Sequence, residues 1–329
     1  MVENFHVVGI GNAIVDVLAH ASDDFLKEQG LPKGAMTLID AHQAQRLYSQ
    51  MGPAIECSGG SAANTMAGIA SLKGRAAYIG KVHDDILGRV FRHDLSAIGV
   101  RYNTPALRRG PTTARCLILV TPDAQRTMQT YLGACIELGP EDIDEEIIVS
   151  SKITYLEGYL YDPPRAKEAF HKAAKLAHGG GRKVALSLSD AFCVNRHRDA
   201  FLDLVRNHTD ILFANESEIM ALFETPDFDQ ALQKARGVCP ITVLTRSSKG
   251  SVVLAGDDVH VIDAEKNVKV EDSTGAGDLF AAGFLWGHTH GKSLAESARA
   301  GGIAAAEVIS HIGARPARNL AELMAEKMG

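Results

Sequence analysis

Thr274-Gly275-Ala276-Gly277-Asp278-Leu279-Phe280 places an aspartate directly after a glycine-rich turn. A turn of this kind that runs into a helix leaves several backbone N–H groups unpaired and pointing the same way, and the helix dipole adds roughly half a positive charge there. Such a turn holds a phosphate without any basic side chain. A carboxylate beside an anion site needs a reason, and phosphoryl transfer supplies one. The amides of Gly275, Ala276 and Gly277 stabilise charge on the moving group, while Asp278 receives the hydroxyl proton. The alternative is that Asp278 only caps its helix. An ordinary aspartate titrates near about 3.9, and a helix N-terminus pulls it lower. Asp278 is therefore expected to be a weak base that acts late and chiefly aligns the hydroxyl.

Ser58-Gly59-Gly60-Ser61-Ala62-Ala63-Asn64 is a second candidate. Its glycines let backbone approach a bound sugar, and Asn64 both donates and accepts hydrogen bonds; an ordinary strand-to-helix turn has the same composition. Asn215-Glu216-Ser217-Glu218 follows the apolar run Asp210–Ala214. Ligands gather at the carboxyl ends of strands in open parallel sheets, so Glu218 is a candidate to hold Mg²⁺, against a plain helix start rich in acids. Asp16 alternates with Val15 and Val17 and suits a pair of neighbouring hydroxyls, or is a surface residue. Arg126 is a candidate phosphate clamp, or a solvated strand residue. Gly9-Ile10-Gly11 lacks the third glycine of a dinucleotide fingerprint, which argues against a nicotinamide dehydrogenase. His288 and His290 lack a third ligand at helical spacing, and Cys193 and His197 read as structural.

The elements that must position these residues follow from pattern. Phe5–Ile10 reads as a buried strand and Ile14–Ala19 as a half-buried one. Residues 20–40 are polar and turn-rich up to an apolar run at Met36–Ile39. A helix over about 62–72, a strand at 76–80 and a helix over about 84–98 follow. Residues 112–121 and 126–132 form a hairpin around Pro122-Asp123. Beyond 140, strands near 153–158, 183–188, 210–214 and 241–245 alternate with helices near 163–178, 196–207 and 216–224. That alternation predicts a parallel sheet covered on both faces. A hairpin over 250–270 and two Ala/Gly-rich helices, about 277–290 and 293–311, close the chain.

The 329 residues allow one large α/β domain plus a small accessory piece, with 46% hydrophobic and 22% charged residues. A net charge of −6 disfavours nucleic acid as the main partner. Five cysteines without a CxxC pair read as reduced thiols. Met1–Asn4 lacks the basic start of a secretory signal, and no apolar run reaches membrane-span length. A soluble, cytoplasmic protein is expected.

Gly59-Gly60-Ser61-Ala62-Ala63-Asn64 and Asp272-Ser273-Thr274-Gly275-Ala276-Gly277-Asp278, in this order, with Asn215-x-x-Glu218 between them, resemble the motifs of the ribokinase-like (PfkB) carbohydrate and nucleoside kinases. The resemblance runs from end to end. It implies a doubly wound, mostly parallel sheet with a small β-lid, all in one domain over 1–329, the lid formed by insertions of roughly 17–40 and 103–132. It implies ATP and Mg²⁺, and allows a monovalent cation such as K⁺. Asn12, Asp16, Gly59, Gly60 and Asn64 would hold the ribose, Arg126 would meet the transferring phosphate, and Tyr159 or Leu160 would close over a base. Asn215, Thr245, Ser247, Gly250, Thr274, Gly275 and Gly277 would line the ATP side, with Glu218 on the metal. Ser247 stands where many relatives carry glycine, and Ser273 replaces a common threonine.

The stretches Gly11–Asp16, Arg126–Met128, Tyr131–Ala134 and Glu157–Leu160 are most similar to those of family members that phosphorylate adenosine. The acceptor implied is the adenosine 5′-hydroxyl. A sugar kinase of the same family is the runner-up, and a non-catalytic nucleoside or sugar sensor is the reading from another class. A purine needs an apolar, partly aromatic slot, for which Tyr131, Tyr159 and Tyr161 are candidates. A monomer or homodimer is expected.

Overall fold

The computed structural model describes residues 4–123 and 125–329. Its strands are, in chain order, β1 (Phe5–Ile10), β2 (Ile14–His20), β3 (Met36–Leu38), β4 (Ala54–Gly59), β5 (Ala76–Ile79), β6 (Arg101–Tyr102), β7 (Ala114–Val120), β8 (Arg126–Tyr131), β9 (Ser151–Glu157), β10 (Lys183–Ser187), β11 (Ile211–Asn215), β12 (Ile241–Thr245), β13 (Ser251–Ala255) and β14 (Asp258–Ile262).

Nine of these form a large sheet in the order β14-β13-β12-β11-β10-β9-β1-β5-β6. All pairings from β12 to β6 are parallel, and only β13 and β14 run antiparallel at one edge. The central strands are apolar on both sides because both faces are covered. Val7, Tyr155 and Phe213 face one core with the helices Ser61–Ser71, Ala276–Thr289 and Leu294–Val308. Val8, Leu156 and Leu212 face the other with Pro164–Gly179, Ala191–His208 and Glu216–Phe223. This is a doubly wound α/β fold, as the alternation of strand and helix patterns implies.

Five strands form a second sheet, ordered β3-β8-β7-β2-β4. One face (Val15, Val17, Leu117, Leu119) packs into the main core. The other carries Cys116, Ile118 and Val120 with Ile14, Leu18 and Met128 as a small cluster of its own. Besides segments from 17–40 and 103–132, this sheet takes all of β2 and the unforeseen strand β4, so Ser58 and Gly59 end a strand instead of lying in a loop. β4 alternates weakly and its first residues are exposed, which leaves little period to read.

Short helices also escape the pattern. Asp23–Glu28 sits in the stretch read as turns, held by Ser22 as its cap, and Ala41–Gln50 is held by a reciprocal Asp40–Gln43 capping box. The helix expected over 196–207 begins earlier, at Ala191, where Asp190 caps it, and is kinked at His197.

Candidate active site

The strand order reverses around β1. From there the chain builds outward to β5 and β6 on one side, then to β9 through β14 on the other. A crevice opens at such a switch point, outside the carboxyl ends of the strands. Asn12 follows β1 and Glu157 ends β9, side by side at this point.

Asp278 lies in the first turn of the Ala276–Thr289 helix. Close packing of that helix on Ser61–Ser71 brings it to the crevice. A Cβ on Gly68 would fall 2.6 Å from Ala282 Cβ, so only glycine permits the approach. The Asp278 side chain does not cap its own helix. Its Oδ1 accepts from Ser61 Oγ at 2.6 Å and its Oδ2 from Asn64 Nδ2 at 2.9 Å, both on the neighbouring helix. The residue is half-buried, and desolvation of its carboxyl raises the pKa, opposed by these two bonds and the Arg315 charge. This reverses the expectation of a lowered value, because desolvation outweighs the groups that favour the charged form. Asn64 Oδ1 is buried without a partner beside it.

Gly275 starts the helix at φ +78°, where a Cβ would lie 2.8 Å from Ala314 Cα. Only glycine fits there. Of the three amides expected to face an anion, Ala276 N–H instead donates to Ser273 O at 3.3 Å, closing the turn. Gly275 and Gly277 N–H find no protein acceptor among the described residues. A Cβ on Gly277 would meet nothing within 4 Å, so open space lies over the turn.

Asp272 organises this loop. Its Oδ1 accepts from Thr274 N at 3.0 Å and Thr274 Oγ1 at 2.7 Å, and its Oδ2 from Gly313 N at 2.9 Å. Arg126 reaches in from β8, with Nη1 donating to Thr274 Oγ1 at 3.1 Å. Its Nη2 lies 2.5 Å from Asp272 Oδ2 but off hydrogen-bond alignment, so the contact is ionic and the nitrogen keeps no aligned acceptor. Arg126 is thus buried at the anion turn and not a solvated strand residue.

On the opposite wall, β2 pairs with β4 so that Asp16 lies across from Cys57. A Cβ on Gly59 would fall 2.3 Å from Asp16 Oδ2. Burial raises the Asp16 pKa to about 7, opposed by Arg315 and Arg126. Gly60 opens the Ser61–Ser71 helix at φ +91° against Asn12 O. Asn12 is held by Glu157, whose Oε1 accepts from Asn12 N at 3.2 Å and Nδ2 at 3.0 Å, while Oε2 accepts from Ala62 N at 2.8 Å. Burial brings the Glu157 pKa up to about 7.

Asn215 and Thr245 end adjacent strands in register. Glu218 folds back on Asn215 as a capping box, accepting from its N at 3.0 Å and its Nδ2 at 2.5 Å. Burial raises its pKa to about 7, and the Asp190 charge adds to that. Ser247 sits at φ +50°, a region glycine favours, so serine there carries a cost of about 1–2 kcal/mol and keeps the loop shape. Gly250, at φ +81°, passes against Ile262 O. Among the described residues no cluster of three or more His, Cys, Asp or Glu side chains could hold a metal by itself.

Some expected members do not join the site. Leu160 is fully buried in the core on the far face, so it cannot close over a ligand; Tyr159, next to it, is 38% exposed. Desolvation of the Tyr159 phenol raises its pKa, and the Asp190, Glu218 and Asp278 charges add to that. Tyr161 is buried against Phe170 and Phe201 and lines no slot. Tyr131 stays half-buried at the end of β8. Cys193 donates to Gly158 O, and His197 pairs with Asp162 at 2.5 Å, as structural residues do. His288 stacks on Phe284 and His290 contacts Trp286 O.

Four residues at the site escaped sequence reasoning. Asp272 and Ser61 sit inside the quoted motifs but look like filler there. Glu157 carries a weak signal, an acid ending the apolar run Ile153–Leu156. Arg315 carries none; it lies in a polar loop, and only folding brings it to Ser58 and Ala63.

The model of the pfkB family of carbohydrate kinases matches residues 54–320, and the chain belongs to that family of ATP-using phosphotransferases that act on hydroxyl groups. The chain is similar to the crystal structure of adenosine kinase from Sinorhizobium meliloti, at 53% identity, covering 98% of this chain and 99% of that one with a TM-score of 0.92. It is similar to a probable sugar kinase protein from Rhizobium etli CFN 42, at 49% identity over 98% of each chain with a TM-score of 0.92. Adenosine kinase of Saccharomyces cerevisiae is 26% identical over 93% of this chain and 95% of its own length. Among the described residues no helix is long and apolar enough to cross a membrane.

Proposed function

We propose that the enzyme transfers the terminal phosphate of ATP to the 5′-hydroxyl of adenosine, with Asp278 as the base. The observation that carries this reading is the Asp278 carboxylate, desolvated and oriented from the neighbouring helix, next to amides with no partner and the open space over Gly277. Asp278 receives the 5′-hydroxyl proton as the oxygen bonds to phosphorus. Its raised proton affinity brings it nearer the range useful to a general base at neutral pH. The amides of Gly275 and Gly277 and the Arg126 guanidinium stabilise the moving charge.

Asp16 accepts from neighbouring ribose hydroxyls, and the unpartnered Asn64 Oδ1 accepts from a further one. Asn12, Gly59 and Gly60 shape the sugar pocket. The small sheet acts as a lid whose inner face carries Asp16 and Arg126. Beside them a row of register-matched residues (Ile55, Leu18, Ile118, Met128, Met36) crosses all five strands. An apolar strip beside the ribose hydroxyl acceptors suits a purine, with Tyr159 as the aromatic element.

Asn215, Thr245, Ser247, Gly250 and Thr274 line the ATP side. Mg²⁺ would neutralise charge on the ATP phosphates. Glu218 and Asp190, acids at the starts of two neighbouring helices, would be the residues to hold its waters. K⁺ is included as an optional activator, tested by replacing it with a bulky organic cation. The five free cysteines suit the reducing cytoplasm where ATP is supplied.

A free sugar as acceptor is the second reading, favoured by the likeness to the Rhizobium etli protein. ADP release across adenosine, guanosine, inosine, ribose and fructose decides between them. Adenosine is expected to give the highest kcat/KM, and ribose or fructose outpacing it would sink the nucleoside assignment.

A further inference from the structure

Arg315 lies in the loop after the Leu294–Val308 helix, far in sequence from every motif above. Its guanidinium is spent on two backbone carbonyls and a hydroxyl at the entrance of the Ser61–Ser71 helix. Nη1 donates to Ala63 O at 2.9 Å, Nη2 to Ser58 O at 3.0 Å and Ser58 Oγ at 3.1 Å, and Nε to Ser58 O at 3.3 Å. Ser58 N is held in turn by Asp94 Oδ2 at 2.8 Å. The two residues before Arg315 brace the anion turn, Gly313 through Asp272 and Ala314 by contact with Gly275. One short segment therefore touches both halves of the site.

We propose that Arg315 is a positioning residue for phosphoryl transfer, locking the Ser58–Ala63 turn to the anion turn and setting its charge beside Asp16 and Asp278. The proposal rests on Asp278 being the base and Asp16 a hydroxyl acceptor. Desolvation lowers the Arg315 pKa, opposed by the charges of Asp16, Cys57, Asp278 and Asp94 around it. Asp16 also faces Arg126 and Asp278, and the Asp278 charge reaches Tyr155, Glu157 and Tyr159. Within this acid-rich group, Arg315 is the one cation that opposes the burial of both Asp16 and Asp278. Without it, two half-buried carboxylates share the crevice and hold protons to higher pH.

The test is kcat and kcat/KM with ATP and adenosine from about pH 5.5 to 8.5, on the full chain, for the wild type, Arg315→Met, Arg315→Lys and Asp278→Asn. Arg315→Met is expected to move the acid limb of kcat/KM up by about one pH unit. Its loss relative to wild type is then roughly tenfold greater at pH 6 than at pH 8.5. Arg315→Lys keeps the charge and loses the fork, so kcat falls while the acid limb stays in place. An Arg315→Met profile that superimposes on wild type after vertical scaling overturns the proposal, as does an Arg315→Lys limb shifted upward. If Arg315→Met does not fold, the Lys variant alone decides by the position of its limb. Undiminished turnover in Asp278→Asn would instead overturn the reading of Asp278 beneath it, whatever the Arg315 variants do.

Discussion

Arg126 Nη2 lies 2.5 Å from Asp272 Oδ2, joining the small sheet to the loop that opens the Ala276–Thr289 helix. The two side chains are 9% and 6% exposed, so the contact is shielded from solvent. It ties the guanidinium carried by β8 to the acid that also holds Thr274 and Gly313. With no phosphate present, Arg126 rests on Asp272; with one, the unaligned Nη2 has a competing anion to meet.

Arg126→Gln should therefore slow the chemical step by roughly 10²–10³ while adenosine affinity changes little. The loop itself keeps its shape, because Thr274 and Gly313 still donate to Asp272. Single-turnover phosphoryl transfer and adenosine titration calorimetry measure the two effects. A kcat close to wild type would remove Arg126 from the reaction.

Gly275 and Gly277 separate structure from chemistry. Gly275→Ala forces a side chain into φ +78° and into Ala314, and should lose roughly 1–3 kcal/mol of stability along with activity. Gly277→Ala meets open space, so its melting temperature should match wild type while the methyl obstructs the phosphate and kcat/KM for ATP falls. Thermal unfolding and ADP release on both variants check this. Equal melting temperatures for the two would contradict the role assigned to the turn.

Glu157 gives a pH signature. Its carboxyl titrates at about 7 in the fold against 4.5 as the ordinary value. A folded value above the unfolded one means the native state binds more protons between them, so this group's contribution to stability falls as pH rises from about 4.5 to 7 and is flat beyond. Glu157→Gln has no such dependence. It loses one acceptor for the three N–H groups of Asn12 and Ala62, so it starts less stable. The deficit against wild type should shrink by about 1–3 kcal/mol between pH 5 and 8 in urea unfolding of the ligand-free protein. A deficit independent of pH would mean Glu157 is already ionised throughout that range.

Tyr159 tests the base slot. Tyr159→Ala should raise KM for adenosine by roughly tenfold or more, the scale of one aromatic–base stack, and leave any residual turnover of ribose unchanged. An equal effect on both acceptors would place the ring elsewhere than over a base.

The glycine-rich turn, the aspartate after it, the Gly-Gly-Ser-Ala-Ala-Asn run and the alternation of strand and helix are local patterns, so the sequence alone determined the fold class, the kinase family and most of the candidate residues. Backbone geometry at Gly60, Gly275 and Gly250 is a property of a few adjacent residues and could be read in the same way. The directions of Asp278, Leu160 and Tyr161 could not, because a side chain's partner is chosen by packing between elements remote in the chain. The rise in Asp278 proton affinity likewise needed the tertiary structure, since desolvation depends on what covers the carboxyl and the helix dipole only on the helix that Asp278 begins. Glu157, Asp272 and Arg315 became site residues only when β9, the 313–315 segment and the Ser61–Ser71 helix met at one switch point.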